Sequence, residues 1–130
     1  MIKQGISEIS PQFVAIYNQA FQAEQLGLNE LNGIGYRKAL EFLVKDFCSQ
    51  ENPKEVDKIK AMPLGQCIDK YIDDSNIKKL AKRATWLGND EAHYVRKLTD
   101  KDVNALSKMI QLVCHWISMD YLTKEALKDM

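Results

Sequence analysis

Asn89 and His93 stand four residues apart, directly after Gly88, in the stretch Leu87-Gly88-Asn89-Asp90-Glu91-Ala92-His93-Tyr94. On a helix that spacing puts both side chains on one face, one turn apart. Asn89 is a good N-cap residue, and the glycine before it can take backbone angles that end one helix and begin another. The sequence therefore predicts a helix junction at Gly88 with a polar pair at the new helix start. Such a start meets a phosphate or a base well, because free N–H groups already point outward there.

The elements that hold this pair are read from apolar periodicity. Ser10-Pro11 supplies an N-cap and a proline in the first turn, followed by Phe13, Tyr17, Ala20 and Phe21 at helical spacing, with Val14 widening the stripe. Asn18, Gln19, Gln22 and Gln25 make the opposite face polar but almost uncharged. Gly27 ends this helix, and a connection from Leu28 to Gly33 leads to a second helix over about Ile34 to Cys48. Its stripe is Tyr36, Leu40, Leu43, Val44 and Phe47, with Arg37 on the flank and Glu41 four residues on, the spacing of an ion pair.

Residues 50–60 are charged, contain Pro53, and read as a loop with at most one helical turn. Pro63 starts a short helix with Leu64, Ile68, Tyr71 and Ile72 inward. Asp73, Asp74 and Ser75 can cap the next one, whose stripe is Ile77, Leu80, Ala81 and Ala84. Lys78, Lys79, Lys82 and Arg83 fill its other faces; a run like this is most simply a solvated surface, with a phosphate-binding patch as the alternative. Thr99 and Asp102 form a variant capping box for a last helix running to about Lys128, on which Val103, Leu106, Met109, Ile110, Val113, Cys114 and Ile117 face inward. His115, Lys108, Gln111 and Ser118 share its other side. No segment alternates with period two, so the fold class is all-α, a bundle of four main helices plus one or two short ones.

At 130 residues the chain reads as one domain, 1–130, with 1–9 a flexible N-terminal segment. A domain of this size buries roughly 65–70% of its unfolded surface, enough for a core without disulfides or metals. The 18 basic and 18 acidic residues balance, so no global field draws the protein to nucleic acid or membrane. Any nucleic-acid contact is then local and salt-sensitive. Cys48, Cys67 and Cys114 are odd in number and widely separated, without zinc or redox spacing, and Cys114 falls on an apolar face. That usage fits a reducing cytoplasm. The apolar runs are too short to span a bilayer, and residues 1–10 have no signal core, so a soluble cytoplasmic protein is expected. A close pair of metal ligands, a P-loop and a nucleophile elbow are all missing from the sequence; no metal or cofactor is expected.

Three segments together carry a resemblance: Ser10-Pro11-Gln12-Phe13 through Tyr17-Asn18-Gln19-Ala20 and Glu24, then Gly35-Tyr36-Arg37-Lys38-Ala39-Leu40-Glu41, then Leu87-Gly88-Asn89 with Ala92-His93. Over about Ser10 to Tyr121 the chain resembles a helical domain of unknown function in the HEPN group (higher eukaryotes and prokaryotes nucleotide-binding). Members of that subfamily occur alone, behind a zinc ribbon, or attached to restriction-system subunits. The chain would be either a single-domain member or an excised C-terminal domain. The resemblance implies a bundle that pairs two-fold as a homodimer, with the low-charge first helix and the last helix as candidate faces. It also implies a prokaryotic defence or stress setting with nucleotide, RNA or a partner protein as ligand.

In the ribonuclease branch of that group the motif is arginine, a polar residue, three more residues and histidine. Carried over, the polar residue is Asn89, the histidine is His93, and the arginine position is Gly88, which offers no cation. Arg83 lies ten residues before His93, outside the motif spacing, while Arg37 matches an arginine of the subfamily pattern. Two functional expectations follow. One is a non-catalytic module binding a nucleotide, RNA or partner protein through Arg37, Asn89, His93 and Arg83. The other is a metal-independent endoribonuclease with His93 as general acid/base and Arg37 as the cation. A purely structural account is also open: Asn89 caps a helix, His93 bonds across a junction and Arg37 pairs with Glu41.

Overall fold

The computed structural model describes residues 4–92 and 103–129, and among them every regular element is helical. The order is α1 (Ile6–Ile9), α2 (Pro11–Gln25), α3 (Asn32–Glu51), a 3-10 turn (Pro53–Glu55), α4 (Val56–Ala61), α5 (Leu64–Tyr71), α6 (Ser75–Ala92) and α7 (Val103–Lys128). The all-α expectation holds. Four long helices are present, but the described residues hold three short α-helices where one or two were expected.

Local chemistry sets the ends. Ser10 Oγ accepts the Phe13 N–H at 3.3 Å, and Pro11 occupies the first helical position of α2, where its missing N–H costs nothing. Gly27, at φ +72°, closes α2: its N–H bonds the Glu24 carbonyl at 3.1 Å while the Leu28 N–H reaches Ala23 at 2.8 Å. That is the paired hydrogen bonding of a Schellman motif, which needs a left-handed residue. Asp74 Oδ1 accepts the Ile77 N–H at 3.0 Å and so caps α6.

Helix α3 packs against α2, α5, α6 and α7, and Tyr36, Ala39, Leu40, Leu43 and Val44 on it are fully buried. Around them lie Phe13 from α2, Ile68 from α5, Ala81 and Ala84 from α6, and Leu106, Ile110 and Ile117 from α7. Polar atoms inside this core are paired. Tyr36 Oη donates to Glu24 Oε1 at 2.6 Å, and Tyr17 Oη lies 3.0 Å from Ser107 Oγ. Burial and the Glu24 carboxylate together push the Tyr36 phenol well above its ordinary value.

Several expectations are corrected. Helix α3 begins at Asn32 and ends at Glu51, outlasting the predicted span at both ends. Residues 53–61 are helical rather than looped: Pro53 starts a turn, and Ile59 is fully buried. Lys45 Nζ donates to the Met62 carbonyl at 2.7 Å and the Lys60 carbonyl at 3.2 Å, closing the end of α4 with a cation. The N-terminal segment contains α1, with Ile6 fully buried against the bundle. Phe21 is 48% exposed, because the inward position at that turn belongs to Ala20 and Phe21 sits one residue round the helix. Tyr71 is only half-buried. Ser118 is buried, its Oγ donating to the Gln4 carbonyl at 2.8 Å where the N-terminal segment crosses α7. Thr99 and Asp102 lie outside the described residues. Among the described residues no helix is long and apolar enough to cross a membrane.

Candidate functional site

Gly88 does not break a helix. Helix α6 runs without interruption from Ser75 to Ala92, and the described residues with positive φ are Gly5 and Gly27 only. Asn89 is therefore a mid-helix side chain on an exposed face rather than an N-cap. The reason lies in what faces Gly88. A Cβ placed there would stand 2.8 Å from Cβ and 2.9 Å from Cδ of Arg37, closer than side chains pack. The glycine makes room for the Arg37 stem to cross α6. The arrangement is reciprocal: a Cβ on Gly33 of α3 would stand 2.6 Å from Glu91 Cγ. Residues 33 and 37 face 91 and 88 in turn, so the two helices run antiparallel, each with a glycine under the other's charged side chain.

Seated in this way, Arg37 is held at two points. Its Nε donates to Asn89 Oδ1 at 2.8 Å, and Nη1 donates to Glu41 Oε1 at 2.8 Å. Glu41 Oε2 in turn meets Lys45 Nζ at 2.9 Å. Arg37, Glu41 and Lys45 thus form an i, i+4, i+8 ladder along α3, two cations sharing one carboxylate. Burial alone would raise the Glu41 carboxyl, but the hydrogen bonds from Arg37 and Lys45 outweigh it and hold it below its ordinary value. A cleft of about 300 Å³, lined by Glu41, Phe42, Lys45, Asp46 and Lys60, opens beside the ladder. Nη2 of Arg37 has no hydrogen-bond partner among the described residues. A guanidinium fixed through Nε and Nη1 in this way can turn its remaining N–H groups to a phosphate or carboxylate oxygen.

Of the other residues singled out in the sequence, Arg83 is exposed on α6 but does not join this group. Six residues before Asn89, it points about 120° away around the helix axis. His93 lies outside the described residues. His115 is exposed on α7, as its position predicts. Among the described residues no group of three or more His, Cys, Asp or Glu is placed to hold a metal ion.

Two features escaped the sequence reading. Cys48 and Cys67, far apart in the chain, come close together between α3 and α5, and the neighbouring Cys67 thiol together with burial pushes Cys48 up. Both are free and buried. Trp86 is the second. It is 66% exposed on α6, three residues before Asn89 and three after Arg83, a spacing that the sequence itself displays.

No curated protein and no solved structure matches the chain. A family model, described as a domain of unknown function (DUF4145), matches residues 18–129. With most of its length matched, the chain belongs to the DUF4145 family.

Proposed function

We propose that this domain is a HEPN-like module that binds the phosphate of a nucleotide or RNA through Arg37. The observation that carries the proposal is the seating of Arg37 over Gly88, with Nε held by Asn89 at 2.8 Å. A guanidinium tethered across two helices is pre-organised, so less side-chain entropy is lost when it meets an anion. Asn89 positions it, and His93, four residues beyond Asn89 in the chain, completes the proposed site. The resemblance adds two-fold pairing and a prokaryotic defence or stress setting, with a partner protein as the alternative ligand. Exposed Leu112, Met119 and Leu122 on α7 offer apolar area for pairing, and sedimentation tests it.

Nucleotides and short RNAs titrated at low and moderate salt should bind saturably. Arg37→Ala should weaken binding about tenfold or more, as loss of a charged hydrogen bond does. Binding indifferent to Arg37→Ala and His93→Ala would rule the proposal out.

A second reading is a metal-independent endoribonuclease. It is favoured by the contact of the Arg37 stem with Gly88, the position at which the motif carries its own arginine. The cation would then reach the motif from α3. His93 would assist as the 2′-oxygen attacks phosphorus and the bond to the 5′-oxygen breaks, leaving a 2′,3′-cyclic phosphate and a 5′-hydroxyl. Proton transfer of this kind contributes about 10²–10⁴ in rate. RNA incubated in EDTA should acquire cyclic-phosphate ends, and His93→Ala should abolish them. RNA left intact at high protein concentration would eliminate this reading.

A further inference from the structure

We infer that Trp86 is a base-stacking subsite, so that the ligand gripped at Arg37 is an unpaired RNA strand rather than a lone phosphate or a duplex. The inference rests on the phosphate-binding reading of Arg37 and extends it. Trp86 projects from the outer face of α6 and is 66% exposed, outside the buried core. A tryptophan carries a large apolar area that folding normally hides. On that face Lys79, Lys82 and Arg83 precede it by seven, four and three residues, and Asn89 follows by three; all four are exposed. Lys82 is committed to Asp69, both carboxylate oxygens lying 2.9 Å away. Lys79 and Arg83 have no ion pair among the described residues. The indole is therefore flanked on one side by two cations without an ion pair among the described residues and on the other by the Arg37–Asn89 pair.

The chemistry of this face selects its partner. An apolar docking patch for a protein joins several large apolar side chains, as Met119 and Leu122 do on α7. Among the described residues Trp86 is the one exposed large apolar side chain on α6. A lone aromatic ring between cations suits an unpaired base with phosphates to either side, the arrangement that holds single strands without reading sequence. Paired bases in a duplex keep their faces stacked on one another and cannot reach such a ring. Arg83 to Asn89 spans about 9 Å of helix axis. Around that axis the two lie about 60° to opposite sides of Trp86, so a base on the ring has Arg83 on one flank and the Arg37–Asn89 pair on the other.

In a Trp116→Phe background Trp86 is the sole tryptophan and its emission reports the site directly. An oligouridylate should quench it saturably, and an abasic oligomer of equal length should bind more weakly. Trp86→Ala should weaken oligouridylate binding about 5- to 150-fold, with Trp86→Phe retaining most of the affinity. Lys79→Ala and Arg83→Ala should each lower the salt slope by about 0.7. If Trp86→Ala binds RNA as tightly as the parent while Arg37→Ala does not, the stacking subsite is wrong and the Arg37 reading survives. Equal affinity for the abasic strand also overturns it. Absence of RNA binding by the parent removes both. Trp86 emission that shifts with protein concentration alone, without RNA, would assign the ring to a protein contact and overturn the inference.

Discussion

Replacing glycine by alanine inside a helix ordinarily stabilises it by about 1 kcal/mol. At Gly88 the added methyl would meet Cβ of Arg37 at 2.8 Å, and overpacking of that kind costs about 1–3 kcal/mol. Gly88→Ala should therefore lower stability by about 1 kcal/mol in urea unfolding and displace Arg37 from Asn89. An alanine variant more stable than the parent would show that Arg37 does not press on this position. Glu41 gives a pH signature. Its folded-state value is depressed, so its contribution is full above the ordinary carboxyl value and fades as pH falls through the depressed one. The stability difference between parent and Glu41→Gln should be constant above about pH 5 and shrink as pH falls below about 4. A difference that grows on acidification would contradict the ladder. Glu41 and Arg37 were legible as a pair because four residues on one helix fix their distance. The bond from Arg37 to Asn89 spans 52 positions, and only the family resemblance named both ends. Gly88 was misread because a glycine signals either a break or a close approach, and what lies opposite decides which.

Helix ends were legible where a side chain or a glycine makes them: Ser10 before α2, Gly27 after it, and Asp74 before α6. Asp74→Ala removes the acceptor for the Ile77 N–H and should cost about 1 kcal/mol, with Asp74→Asn retaining most of the stability. Thermal melting reads this as a fall of about 3–6 °C for the alanine variant, and an unchanged midpoint would mean that the cap contributes nothing. The stretch before α5 was illegible for a different reason. Charged residues around Pro53 leave α4 a single fully buried side chain, Ile59, so no apolar stripe announces a helix. Its end is closed by Lys45 from α3, a tertiary contact that local sequence does not encode.

At the scale of the molecule, the thiols report how tightly the bundle closes. Cys48, Cys67 and Cys114 are all buried, and burial pushes the Cys114 thiol up to about 12. A thiol reagent at pH 8 should label them only as fast as the core opens, and all three at once in denaturant. Rapid labelling of the native protein would show that α3, α5 and α7 separate readily. The balanced charge, 18 of each sign, means that a polyanion is met by local groups alone and released steeply by salt. The opposed glycines of α3 and α6 set one further limit, on motion. Gly33 and Gly88 are like two detents on facing rails, each receiving a tooth from the other. Sliding by one residue, about 1.5 Å, would lift both teeth together, so these rails can part like a hinge but cannot ratchet past one another. One residue inserted in α6 ahead of Gly88 would spin everything beyond it by about 100° and disengage both.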